Sequence, residues 1–307
     1  MRIFIYGFND WAGLGNMISR AINLAAQDEL ALCAQFYEHP FGIPGECVLT
    51  GPEGDDNIEI AAQFAEKADC IVALGDGDYS VFELLPEIGI RPLRDWKYRA
   101  AIHAGSALRN NPGAFHKWDS ELGFKLRFCG LDSVRLWFPG CEGEPLTGFV
   151  PPVDIPITAG QSAERIVIAH SPSNKTAKVT PIIDYVCKTV AARFSNVEYR
   201  EIHGLQWSEA VKAREGSDIF VDQMNMYVGG FGVSALESIR QGAIPVADLR
   251  NIPVDYLKPL GLPICNVQTP AQLDNTLSEL ITNLNYRADD MRERLLAFRK
   301  AFDPSGS

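Results

Sequence analysis

Residues able to do chemistry are densest between Asp222 and Ile239, where the chain reads Asp-Gln-Met-Asn-Met-Tyr-Val-Gly-Gly-Phe-Gly-Val-Ser-Ala-Leu-Glu-Ser-Ile. The order is a strand end, a glycine-rich turn and a helix start. Such a turn presents backbone N–H groups at the positive end of a helix dipole. It makes an anion site worth about 0.3 to 2 kcal/mol per interaction, and its glycines let a diphosphate come close. Gly230, Phe231, Gly232 and Val233 are the candidate binding residues of the turn. Glu237 falls about a turn and a half into the helix, where a carboxylate can accept hydrogen bonds from ribose hydroxyls. The competing reading is an ordinary strand-to-helix turn followed by an exposed glutamate.

Two lysines strengthen the anion reading. Ser171-Pro172-Ser173-Asn174-Lys175-Thr176-Ala177-Lys178 follows an apolar run ending at His170 and precedes a helical pattern, so Lys175 and Lys178 stand at a strand's carboxyl end. Ligands of open parallel sheets bind at that edge, where both lysines can face the anion held by the glycine turn. Lysines in a polar loop are otherwise simply solvated.

Parallel sheets are what the surrounding pattern predicts. Apolar β-type runs at Ile3–Tyr6, Leu30–Tyr37 and Cys70–Leu74 are separated by helical segments, and strand–helix–strand alternation means a parallel sheet. The alternation restarts at Arg165–His170 and continues through Val197–Ile202, Asp218–Asp222 and Ile244–Ala247. A helix is expected to bury Ile182, Val186, Val190 and Phe194, spaced by four. Thr269 as N-cap and Pro270 at the first helical position open another, with Leu273, Leu277, Leu280, Ile281 and Leu284 on one face. Proline concentrates in Gly148–Pro156, which suits a connector. The expected fold class is therefore α/β with two Rossmann-like parallel-sheet domains facing a cleft. Residues 1–152 form the first and 153–285 the second, and a C-terminal helix within 286–307 folds back toward the first.

Composition excludes several classes. At 307 residues the chain exceeds what one core usually serves, and 46% hydrophobic with 22% charged residues is globular. No apolar run approaches the roughly 20 residues of a membrane-spanning helix, and the first residues read as a strand with no signal peptide. The seven cysteines are odd in number and lack a C-x-x-C pair, so neither a disulfide framework nor a zinc site is expected and the cytoplasm is the expected compartment. A net charge of −11 disfavours a nucleic-acid partner or acceptor.

With these residues in place, the second half, over most of 151–302, resembles the retaining GT-B glycosyltransferases that carry a Glu-x7-Glu signature and use nucleotide-diphosphate sugars. The Ser-Pro-Ser-Asn loop with Lys175 and Lys178, the Gly230-Phe231-Gly232 turn, Leu236-Glu237 and Gly242-Ala243-Ile244-Pro245-Val246 all match that pattern. The resemblance implies that Lys175 and Lys178 meet the diphosphate and Glu237 the ribose. Eight residues before Glu237, however, Gly229 stands where the signature has its first glutamate, the residue associated with the donor sugar.

The first half resembles the family more weakly. Gly7-Phe8-Asn9-Asp10-Trp11-Ala12-Gly13-Leu14-Gly15 follows the first strand, with Gly13 and Gly15 as candidate donor-binding residues, and Ala101–Arg109 looks like a His-Gly-Ser-x-Leu-Arg pattern. There the family places a histidine near the donor sugar, which makes His103 a candidate catalytic residue alongside Lys178. Asp76-Gly77-Asp78 imitates a metal-binding Asp-x-Asp but reads as a polar turn. Gly13-Leu14-Gly15 lacks the third glycine of a dinucleotide fingerprint, since Ile18 occupies its place.

The resemblance implies sugar transfer from a nucleotide-diphosphate co-substrate to an unidentified acceptor hydroxyl, with retention and with neither metal nor cofactor. A catalytically silent nucleotide-sugar-binding module and a nucleotide-sugar epimerase of the same architecture are the alternatives.

Overall fold

In the computed structural model the described residues are 1–10, 13–75, 79–103, 108, 110–129, 144–145, 155, 165–227, 229–252 and 263–283. The expected Asp76-Gly77-Asp78 turn, most of the proline-rich connector, Leu284 and the C-terminal helix lie outside them. The chain divides into two compact units, Met1–Val150 and Pro151–Ser307.

The first unit is built on a parallel sheet. β1 (Ile3–Gly7), β2 (Ala31–Gln35), β3 (Cys47–Val48), β4 (Cys70–Gly75), β5 (Tyr98–His103), β6 (Leu126–Cys129) and β7 (Glu144–Pro145) are ordered β3-β2-β1-β4-β5-β6-β7. β1 pairs with β2 in the register Ile3↔Ala31 and with β4 in the register Ile3↔Cys70. Helices α1 (Leu14–Ala26), α2 (Gly54–Lys67) and α3 (Pro112–Leu122) alternate with the strands. Phe4, Tyr6, Ile71, Leu85 and Trp96 belong to one core cluster, while Ile5, Cys33 and Leu74 pack on the other face of the strands. Both faces are thus apolar, which is why these strands read as continuous hydrophobic runs.

The second unit repeats the principle. β8 (Ile166–His170), β9 (Val197–Glu201), β10 (Ile219–Gln223), β11 (Ile244–Ala247) and β12 (Cys265–Asn266) are all parallel and ordered β12-β11-β10-β8-β9. The helices are α4 (Lys175–Lys178), α5 (Thr180–Arg193), α6 (Trp207–Arg214), α7 (Val233–Arg240) and α8 (Pro270–Thr282). From β8 the chain lays β9 on one side and β10 on the other, so the order reverses between β8 and β10. In open α/β sheets ligands bind beyond the carboxyl ends of the strands at such a reversal.

Two local expectations change. Lys175 and Lys178 lie in a single helical turn, not a loop, because the Asn174 side chain accepts a hydrogen bond from the Ala177 N–H at 2.9 Å, a cap typically worth about 1 kcal/mol. In α5 the buried stripe is Thr180, Ile183, Val186, Cys187 and Val190, whereas Ile182 is 41% exposed. The spacing of four was right for Val186 and Val190, but the helix is rotated so that Ile183 faces inward. α8 starts as expected, with Thr269 Oγ1 accepting from the Gln272 N–H at 3.1 Å and Leu273, Leu277, Leu280 and Ile281 buried. Among the described residues no helix is long and apolar enough to cross a membrane.

Candidate anion site at the switch point of the second sheet

At the carboxyl edge of β8 and β10, side chains from two loops meet. The Lys178 ammonium donates to Asp222 Oδ1 at 2.6 Å, and the Gly232 N–H donates to Asp222 Oδ2 at 2.6 Å. A Cβ added to Gly232 would stand 3.0 Å from Lys178 Nζ, so the lysine lies close against the turn and would have to give by a few tenths of an ångström for any side chain there. The two expected parts of the site, lysine and glycine turn, are brought together. The carboxylate joining them was not anticipated. Its visible signal was an acidic residue directly after the apolar run Ile219–Val221.

The elements hold this arrangement at several points. Asn225 Nδ2 donates to the Ala177 carbonyl at 2.8 Å and Met224 N–H to the Lys178 carbonyl at 3.4 Å, tying the loop after β10 to α4. Val179, between α4 and α5, has φ 58°, the left-handed region that a β-branched residue rarely adopts. That bend separates the turn carrying Lys178 from α5. His170, wholly buried, donates from Nδ1 to the Val221 carbonyl at 2.7 Å and meets Thr180 Oγ1 through Nε2 at 2.9 Å. Burial lowers its pKa, so it is a neutral clasp between β8, β10 and α5. The turn itself is shaped by Gln223, whose Nε2 donates to the Gly230 and Asp248 carbonyls.

The other expected residues of this unit are placed as follows. Phe231, Gly232 and Val233 are half-buried and Gly230 is buried; Gly232 is the N-cap of α7. The first amides of a helix have no intrahelical acceptor, and the dipole favours negative charge there. Lys175 points to Glu201 Oε1 at 2.5 Å. Glu237 is buried, not exposed: Oε1 accepts from the Trp207 indole N–H at 2.8 Å and Oε2 from Arg214 at 2.5 Å. Each oxygen retains a second lone pair for a ligand hydroxyl. Gly229 has φ 47°, and a Cβ there would run into the Asn251 side chain. A glutamate at that position has no room in this backbone.

In the first unit, His103 ends β5 and is wholly buried. Its Nε2 faces the Asp119 carboxylate at 2.9 Å and its Nδ1 meets the Tyr79 hydroxyl at 3.1 Å. Gly75 is required beside it, since a Cβ there would strike the ring. The rest of the His-Gly-Ser-x-Leu-Arg pattern, apart from buried Leu108, lies outside the described residues. Gly13 is the N-cap of α1 at φ 70°, and Gly15 is pressed against Leu74 and Cys33. The Gly15 and Asn16 N–H groups both donate to Asp10, at 2.8 Å each. Burial pushes the Asp10 carboxyl up to about 6 despite these bonds. Both units therefore seat a carboxylate from the preceding strand's loop or end at the start of a helix. Among the described residues no group of three or more His, Cys, Asp or Glu side chains forms a metal site.

No family's sequence profile matches the chain. Nor does any curated protein match it in sequence. Solved structures do match in three dimensions. An α-glucosyltransferase in complex with UDP and a 13-mer DNA containing a central A:G mismatch aligns over 97% of this chain and 94% of its own, at 11% identity and TM-score 0.58. Anabaena Alr3699/HepE in complex with UDP and glucose aligns over 99% and 96%, at 13% identity and TM-score 0.54. S. aureus MnaA with UDP aligns over 96% and 91%, at 10% identity and TM-score 0.51. At these identities the likeness is one of fold. The two parallel α/β units are those of the GT-B architecture.

Proposed function

We propose that the protein is a glycosyltransferase that moves a sugar from a nucleoside-diphosphate sugar to an acceptor hydroxyl. The observation that carries this reading is the meeting of Lys178 with the Gly232 turn at the β8/β10 switch point. A diphosphate placed there receives an ammonium and the amino-terminal dipole of α7. In the similar structures described above, the bound nucleotide is UDP, and by analogy of fold the same class of ligand is assigned here.

Breaking the anomeric bond leaves negative charge on the diphosphate, which Lys178 and the turn stabilise, with Lys175 on the same edge. Retention follows the resemblance. The acceptor oxygen attacks from the face the diphosphate leaves, a new glycosidic bond forms, and the acceptor proton passes to the departing phosphate. Glu237 is assigned to the ribose. His103, wholly buried with its ring nitrogens engaged by Asp119 and Tyr79, is assigned to the donor-sugar side as a positioning residue at the end of β5, with Gly13 and Gly15 on the donor-facing turn. Residues 1–152 are the acceptor side and 153–285 the donor side. No metal or cofactor is assigned; the groups assigned to the diphosphate are the lysines and the amides at the start of α7. Among the described residues Cys33, Cys47, Cys70 and Cys187 are buried thiols, which suits the cytoplasm.

Thermal melting against UDP, TDP, GDP and ADP in the presence of EDTA tests the site, and release of nucleoside diphosphate from sugar donors tests turnover. A nucleotide-dependent rise in melting temperature with EDTA present is expected. A panel that shifts nothing, with or without magnesium, sinks the reading; a shift only with magnesium removes its metal-free part.

A further inference from the structure

We propose that Asp222 is an internal anion that competes with the diphosphate for its donors, so that this carboxylate sets how tightly a nucleoside diphosphate is held and how readily it leaves. The inference rests on the diphosphate reading of the site and goes beyond it. The donors an incoming phosphate needs are the Lys178 ammonium and the Gly232 amide. Asp222 takes both, one on each oxygen, at 2.6 Å.

Burial makes the competition effective. The Asp222 side chain is 1% exposed and that of Lys178 18%, so the lysine and not the carboxylate is the side chain a ligand reaches. Because the two charges cancel, the site attracts an anion less than a lone lysine would. An arriving phosphate also meets a like charge across the same ammonium, and in a partly buried position that repulsion is screened only weakly. An ammonium has three donors, so Lys178 can serve both anions while the bond breaks and return to Asp222 when the product departs.

The sign is set by which effect is larger when the charge is removed. Asp222→Asn keeps the shape and deletes the repelling charge, leaving one accepting oxygen for the Gly232 N–H and an NH2 that cannot accept from Lys178. It also loosens Lys178. That loss is the smaller effect, because the loop is still tied through Asn225 to the Ala177 carbonyl and through Met224 to the Lys178 carbonyl.

The test is calorimetric titration of UDP and of inorganic pyrophosphate into the full chain, as wild type, Asp222→Asn, Asp222→Glu and the Asp222→Asn/Lys178→Met double variant. Asp222→Asn is expected to bind both probes about tenfold tighter or more, with UDP leaving more slowly. Asp222→Glu keeps the charge and gains nothing, and the double variant loses the gain. Equal or weaker binding by Asp222→Asn, while the wild type binds, overturns the role of Asp222 alone. Failure of every protein to bind either probe overturns the diphosphate reading, and Asp222's role with it. Should Asp222→Asn not fold, a crystal structure of the wild type with UDP decides. A phosphate oxygen on Lys178 with the Asp222 contact lengthened supports the proposal, and an unchanged contact with no phosphate near Lys178 refutes it.

Discussion

Arg214 donates to Glu237 Oε2 at 2.5 Å with side-chain exposures of 3% and 5%, an ion pair sealed between α6 and α7. The carboxylate that the sequence reading assigns to the ribose is thus also a partner that keeps an arginine buried. Truncating one member of such a pair leaves the other charge unpaired, typically worth about 3 to 5 kcal/mol. Glu237→Ala is expected to lower the melting temperature by on the order of 10 °C. Replacing both partners, as Arg214→Met/Glu237→Leu, should recover most of that loss. Calorimetric melting checks this, and a UDP titration of the double variant separates the ribose role: restored stability with lost affinity supports it, restored affinity removes it.

The backbone at Gly229 does not admit the glutamate that the resembled signature has at this position. Its left-handed φ of 47° strains any side chain, and Asn251 fills the space where a Cβ would go. Together these are expected to make Gly229→Glu about 2 to 4 kcal/mol less stable, without raising turnover. Denaturant unfolding beside a nucleotide-release assay checks both halves; a stable, more active Gly229→Glu protein would mean that the loop repacks.

Lys178 is expected to matter more for turnover than for affinity, because its attraction to the diphosphate grows as the glycosidic bond breaks. Lys178→Ala should lower kcat by about 10²-fold or more, with a smaller rise in KM. Lys178→Arg should recover only part, since a planar fork does not reproduce a compact ammonium against Asp222 and Gly232. Full turnover by Lys178→Ala with its true donor and acceptor would remove the residue from the site.

Acid acts on the first unit through two opposed groups. Burial lowers the pKa of His39 to about 4, and its Nδ1 accepts from the Phe41 N–H at 3.1 Å, a bond that protonation there would abolish. Because the folded pKa is below the unfolded value, His39 favours folding above about pH 6.5, and that contribution is lost as pH falls toward 4. Asp10 works the other way: its folded pKa is raised to about 6, so its ionisation weakens the fold as pH rises from about 4 to 6. The wild-type profile across this window should be flat relative to its variants. His39→Gln should gain stability as pH is lowered, and Asp10→Asn should lose more than wild type does, each by about 1 to 2 kcal/mol between pH 7 and pH 4.5. Melting temperatures at four or five pH values distinguish these slopes, and parallel curves for all three proteins would contradict the assignment.

Local signals carried much of the architecture. The apolar runs closed by polar or glycine residues became β1, β4, β8 and β11 within a residue or two, and the Thr269-Pro270 start of α8 was legible because a cap acts over three residues. The glycine turn after β10 and the lysines after β8 were visible for the same reason: each is a short segment following an apolar run. What joins them was not visible. Asp222 and Lys178 are 44 positions apart, and they meet because β8 and β10 are neighbours at the reversal of strand order, which periodicity does not specify. The pairs Glu237 with Arg214 and His103 with Asp119 are of the same kind. So is the inward turn of Ile183 in place of Ile182, which depends on how α5 lies on the sheet and against α8. Propensity and capping act over one or two turns of chain, so the sequence alone determined the elements and the types of group at their ends. Which charges face each other, and which carboxylate joins the lysine to the glycine turn, was decided by strand order and packing, since a buried charge is held only by partners that the tertiary fold brings to it.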